Sequence, residues 1–166
     1  LYDIKYTNFH STLSAENKKF SELIYSKAKS NNLITKATIE QYYDEKEKMF
    51  LSDRFIKGTC PKCGADDQNG DSCDECGASY EIQDLKNPIS ILSNTQPIKK
   101  DSEHIFFDLP QKTGMLKDFL KNVQLQESVK NKLNEWLSDD LKKWDISRDA
   151  PYFGFEIPDE KNKFFY

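Results

Sequence analysis

Long apolar stretches are what this sequence most plainly lacks. Uninterrupted hydrophobic runs are only a few residues long, as in Ile105-Phe106-Phe107, far short of the roughly 20 residues that span a bilayer, and a transmembrane helix is excluded. Histidine is nearly as scarce, with only His10 and His104, and neither adjoins a nucleophile motif. G-x-S-x-G, P-loop and G-x-G-x-x-G patterns are all missing. A free-standing hydrolase is hard to assemble from these parts, and both histidines are expected to be hydrogen-bonded structural residues. Positive charge is not in excess either: 24 Lys and Arg against 28 Asp and Glu give a net charge of −4 and a pI near 5.3. That is not the uniformly basic surface that grips nucleic acid nonspecifically. What is present, 37% hydrophobic, 31% charged and 13% aromatic residues in a chain of 166, fits one or two globular domains and neither a disordered nor a fibrous chain.

The ends read as cuts. Leu1 opens the chain with neither a Met start nor a signal peptide, and Phe164-Phe165-Tyr166 closes it on a strand-like aromatic run without a polar tail. Between them, Ser14 can cap a helix over about 14–30, with Glu16 in its first turn and Phe20, Leu23, Ile24 and Ala28 as its apolar face. Thr38 to Tyr43 and Met49 to Leu51, separated by the polar residues 44–48, predict a hairpin. Ser79 to Ile82, Ile89 to Leu92 and His104 to Leu109 read as further strands, punctuated by Pro88, Pro97 and Pro110. Met115, Leu116, Phe119 and Leu120 then suit a short helix. Val129, Leu133, Trp136, Leu137, Leu141 and Trp144 mark a longer one over about 126–143, with both tryptophans on its buried side and Lys130, Lys132, Lys142 and Lys143 on a solvated one. The expected class is α+β: an N-terminal helix and connection (1–35), a β-rich domain (36–110), a helical segment (111–144) and a returning extended segment (145–166).

The strongest single signal is Cys60-Pro61-Lys62-Cys63 with Cys73-Asp74-Glu75-Cys76, a C-x2-C-x9-C-x2-C pattern. Two residues between ligands let one tight turn aim both sulfurs at a common centre. Gly64 and Gly77, one after each pair, can take the left-handed backbone that points amides back at the thiolates. Two such knuckles make a closed tetrahedral S4 set suited to Zn2+, with a structural role and no open position for a metal-activated water. A disulfide framework lacks a secretory context, and two spaced pairs are the wrong pattern for thioredoxin-like chemistry. The run from Asp66 to Asp71 imitates a calcium loop, but Ser72 stands where the sharp-turn glycine belongs and Ala78 cannot chelate at the twelfth position.

The other dense string is Trp144 to Gly154, in which charged groups sit between aromatic and turn residues. Taken alone it fits either a buried Arg148–Asp pair or an arginine presented to phosphate or carboxylate through its planar fork.

Taken together, Glu22 to Ser26, Met49 to Cys63, Asp101 to Pro110 and Trp144 to Gly154 resemble the methionyl-tRNA synthetases, class I aminoacyl-tRNA synthetases of the bacterial zinc-containing type. The resemblance spans nearly the whole chain. It implies that the β-rich part is a zinc-ribbon-containing connective domain, at the position where some class I relatives carry an editing domain, inserted into a Rossmann-like catalytic domain. It implies that Cys60, Cys63, Cys73 and Cys76 are the zinc ligands. Arg148 then matches an arginine of the family's Ser-Arg-Asp-Ala-Pro string at the catalytic cleft. ATP, Mg2+, methionine and the acceptor end of tRNA(Met) are implied for the parent enzyme, in the cytoplasm, as reduced cysteines agree. The family's His-Ile-Gly-His-type motif and Lys-Met-Ser-Lys-Ser-type loop are missing here, Lys48 to Ser52 being a chance echo of the latter, so the fragment alone is expected to charge no tRNA. It shows no obvious hydrolytic centre for editing. A stand-alone zinc-ribbon adapter for RNA or protein is the alternative, with Lys57, Lys62, Lys99 and Lys100 available for local phosphate contacts.

Overall fold

Ser14 lies in extended backbone, and its Oγ accepts the N–H of Asn17 at 3.1 Å, the cap its position predicts. The structure, a computed structural model, describes residues 4–138 and 141–166. Helix α1 (Ala15–Ser30) follows, with Glu16 in its first turn and Lys27 and Lys29 in its last, each matched to the helix dipole. The buried side of α1 differs from the expected one. Tyr25 is buried and Ala28 half-buried, whereas Phe20, Leu23 and Ile24 are exposed. Tyr25 and Ala28, three apart, share a face, and Tyr25 meets the ring of Phe165 edge-on at 5.6 Å. A partner at the far end of the chain thus decides which of two adjoining faces is covered.

The expected hairpin is β1 (Ile34–Asp44) with β2 (Met49–Phe50), antiparallel and in register Tyr43 opposite Phe50. Asp44 fixes its turn. The carboxylate is buried; Oδ1 accepts the N–H groups of Lys46 and Glu47 at 2.9 and 3.0 Å, and Oδ2 accepts the Ser93 hydroxyl at 2.5 Å. A second antiparallel sheet, in the order β4-β3-β5, is formed by β3 (Ile56–Thr59), β4 (Gln68–Asn69) and β5 (Lys86–Ser90). Ser79 to Ile82 is not the strand its composition suggests. Ser79 makes a single bridge to Ser72, and Ile82–Asp84 is a 3-10 turn closed by reciprocal side-chain caps between Glu81 and Asp84. Local carboxylate-to-backbone bonds compete there with ladder pairing. The expected strand over Ile89 to Leu92 ends at Ser90, and Ile91 and Leu92 lie in the turn that follows.

Strand β6 (Ile98–Phe107) leads through a 3-10 turn at Leu109–Lys112 into α2 (Thr113–Asn122) and α3 (Glu127–Ser138). Then come β7 (Trp144–Asp145), β8 (Ser147–Asp149) and β9 (Lys163–Phe165). The larger sheet runs β2-β1-β6-β7, and β8 pairs with β9. The long helix is therefore shorter than its periodicity implies, and Trp144 lies opposite Phe107 in a strand pair rather than on a helix. Trp136 and Trp144 are 57% and 62% exposed, while Leu120 and Leu137 are the buried residues of α2 and α3. The tryptophan stripe is corrected accordingly: these rings do not form the core of this chain.

The chain divides into two compact units, each with its own core. Unit 1 comprises Leu1–Ala37, Ile105–Arg148 and Tyr152–Tyr166 and is built on Tyr25, Ile105 and Ile157, with Ile34, Ile146 and Phe165 against them. Unit 2 comprises Thr38–His104 and Asp149–Pro151. Its core is Tyr42, Leu51, Ile56 and Leu85, backed by Met49, Phe55, Tyr80 and Ile82, and it carries all four cysteines. The class is α+β, as expected.

Candidate functional site

The two cysteine pairs adopt one backbone turn twice. Cys60 N–H donates to Ala65 carbonyl at 2.8 Å and Gly64 N–H to Cys60 carbonyl at 3.1 Å; Cys73 N–H donates to Ala78 and Gly77 N–H to Cys73, both at 2.9 Å. Gly64 and Gly77 have φ of +79° and +68°, with open space where a Cβ would stand, so glycine serves the backbone angle and not a close approach. The turns aim amides at sulfur: Lys62 and Cys63 N–H reach Cys60 Sγ at 3.3 and 3.5 Å, and Cys76 N–H reaches Cys73 Sγ at 3.4 Å.

All four sulfurs lie within 4.8 Å of one another, with Cys63 to Cys73 at 3.6 Å and Cys60 to Cys76 at 3.9 Å. A tetrahedral ion with metal–sulfur bonds of about 2.3 Å requires sulfurs about 3.8 Å apart, so the cluster fits a metal ion such as zinc. Burial pushes the Cys60 thiol up, yet the amides of Cys63 and Lys62 and the thiols of Cys63 and Cys73 outweigh it and bring it down to about 6. The Ala65 amide lowers the Cys63 thiol, but burial and the thiols of Cys76, Cys60 and Cys73 push it up to about 12. One thiolate forms easily and the next resists. A divalent cation supplies the charge that lets the whole set deprotonate.

Two residues that the cysteine spacing does not announce tie the knuckles together. Buried Gln68 takes the Asp74 N–H on Oε1 and donates from Nε2 to Asp66 carbonyl, both at 2.7 Å. The Tyr80 hydroxyl lies 2.8 Å from the carbonyls of both Asn69 and Ser72. Its proton is held more tightly than usual, by burial first and then by the sulfurs of Cys60 and Cys73. Of the four lysines considered for phosphate contacts, Lys57 pairs with Asp67 at 2.8 Å, Lys99 with Glu40 at 2.7 Å, and Lys100 sits 4.2 Å over the ring of Tyr43.

Arg148, in β8, is not part of a buried aspartate pair. Its guanidinium carbon lies 3.8 Å from the ring centroid of Tyr166 and 5.3 Å from that of Tyr152, and it makes no ion pair among the described residues. The adjacent Asp149 is held instead in unit 2, where its Oδ2 accepts the Ser102 hydroxyl at 2.7 Å and lies 3.2 Å from buried His104 Nε2. His104 is the hydrogen-bonded structural residue its context predicts. His10 is exposed, 3.5 Å from Glu16. Among the described residues no helix is long and apolar enough to cross a membrane.

The family described as tRNA synthetases class I (M) matches residues 1–166, and the chain belongs to it. Its fold is similar to solved structures of Mycobacterium tuberculosis methionyl-tRNA synthetase. Two are bound to methionyl-adenylate, with TM-scores of 0.60 and 0.59, and one is the free enzyme, at 0.56; each is 15% identical over 99% of this chain. The chain spans 28 to 29% of the length of those proteins.

Proposed function

We propose that this chain is the connective insertion of a methionine-tRNA ligase, which joins methionine to tRNA(Met) using ATP and Mg2+. The observation that carries this reading is the family match over the entire chain; the four-sulfur cluster supports it independently. Cys60, Cys63, Cys73 and Cys76 would hold a structural zinc that locks the two knuckles and leaves no site for an activated water. The β-rich connective region then shapes one wall of the catalytic cleft and the path of the tRNA acceptor end, and the segment from Trp144 onward returns to the rest of the catalytic domain. Arg148 serves the reaction directly. Its in-plane N–H groups stabilise charge on the ATP phosphates or the adenylate as the methionine carboxylate attacks the α-phosphorus.

The test is made on the full-length parent enzyme by methionine-dependent ATP–pyrophosphate exchange and charging of tRNA(Met). Arg148→Ala is expected to slow exchange about 100- to 1,000-fold with zinc content and thermal melting unchanged. Undiminished exchange would remove Arg148 from the chemistry, and activation of a different amino acid would overturn the substrate. The isolated chain is expected neither to activate methionine nor to deacylate mischarged tRNA.

A further inference from the structure

The guanidinium of Arg148 is occupied on its face and unspent at its edge. Tyr166 lies 3.8 Å from it and Tyr152 5.3 Å, as cation–π partners. A stack of this kind uses the π surface of the guanidinium and leaves its five N–H donors, which lie in the plane, available. Those donors make no hydrogen bond or ion pair among the described residues. The Tyr166 ring stands outside both core clusters. Its backbone, by contrast, is fixed: Tyr166 N–H donates to Ile146 carbonyl at 3.0 Å, and Phe165 N–H to Phe155 carbonyl at 2.8 Å. Phe165 is anchored in turn by its edge-on contact with Tyr25. A hydrogen-bonded strand end thus presents an aromatic ring to Arg148, whose in-plane donors are unused among the described residues.

We propose that Tyr166, assisted by Tyr152, is a positioning residue that aims the in-plane edge of Arg148 at an oxyanion, either a nucleotide phosphate or the amino-acid carboxylate. The proposal rests on the reading of Arg148 given above. It predicts that what matters at position 166 is the aromatic face and not the hydroxyl or the bulk.

The experiment compares Tyr166→Leu, Tyr166→Phe, Arg148→Ala and the double variant Arg148→Ala/Tyr166→Leu in the full-length enzyme. It measures kcat and the KM for ATP and for methionine in pyrophosphate exchange, with zinc content and melting as controls on the fold. Tyr166→Leu is expected to lower exchange about tenfold, Tyr166→Phe to recover most of that loss, and the double variant to be no slower than Arg148→Ala. A change confined to kcat or to the KM for ATP assigns the phosphate; one in the KM for methionine assigns the carboxylate. If Arg148→Ala is impaired while Tyr166→Leu is not, or if the two losses multiply, the positioning role is overturned and the arginine's role survives. If Arg148→Ala is itself unimpaired, both fall.

Discussion

Cys60 and Cys73 hold equivalent places in two copies of one turn: each donates its N–H to the carbonyl five residues on, Ala65 or Ala78, and accepts the N–H of the glycine four residues on. The repetition sets the two sulfur pairs face to face. It also predicts unequal dependence on metal across the chain. Structural zinc binding is worth about 10–16 kcal/mol in small fingers, comparable to the whole stability of a domain. Cys73→Ala, or chelation, is therefore expected to release metal and to unfold unit 2 around Ile56 and Leu85, measured as bound zinc together with thermal melting. Full metal content and an unchanged melt in Cys73→Ala would refute the structural role.

Asp44 gives unit 2 a pH dependence of its own. Burial pushes its carboxyl up, but the hydroxyls of Ser90 and Ser93 and the amides of Glu47 and Lys46 outweigh that and lower it from 3.8 to about 2. A carboxyl lowered by folding contributes stability that is complete above its unfolded value, near 4, and is lost as pH falls toward 2. Asp44→Asn is expected to cost about 1–3 kcal/mol near neutrality, and its deficit relative to the native chain should shrink between pH 4 and pH 2. Parallel urea titrations measure this difference directly; a deficit that stays constant over the interval would contradict the assignment.

The parts of this structure that sequence discloses are those built from near neighbours. The knuckles are visible because ligand, spacing and turn glycine all fall within a few residues, and the start of α1 because Ser14 caps it locally. The buried face of α1 was not visible, since Phe165, which covers Tyr25, lies at the other end of the chain. Asp149 likewise finds Ser102 and His104 45 to 47 positions away. Trp144 carries the spacing of a helical stripe, yet β-pairing with Phe107 takes it into a strand. The string around Arg148 leaves a buried aspartate pair and a presented arginine both open, and the ring that lies over Arg148 is not legible in it, because stacking leaves no pattern in spacing.

Glycines of opposite tolerance offer a third test. A Cβ at Gly58 in β3 would stand 2.5 Å from Lys86 carbonyl oxygen and 2.9 Å from the Leu85 side chain, whereas one at Gly114 in α2 meets nothing within 4 Å. Gly58→Ala is expected to destabilise unit 2 by about 1–3 kcal/mol, since backbone must move to admit the methyl. Gly114→Ala should stabilise α2 by about 0.5–1 kcal/mol through lower unfolded-chain entropy. Denaturant midpoints decide both, and equal effects at the two positions would contradict the packing of β3 against β5.

Neighbouring residues of α3 reverse the usual ranking of side chains. Tryptophan buries more area than leucine wherever both are enclosed, yet here Leu137 is buried and Trp136 is 57% exposed. Leu137→Ala should therefore cost about 2–4 kcal/mol in the isolated chain, and Trp136→Ala no more than about 0.5 kcal/mol. The same geometry sets the fluorescence: with Trp144 also largely exposed, both indoles should emit at long wavelength and be quenched readily by iodide. A shielded, blue-shifted emission, or a larger loss from Trp136→Ala than from Leu137→Ala, would return the tryptophans to the core where their periodicity places them.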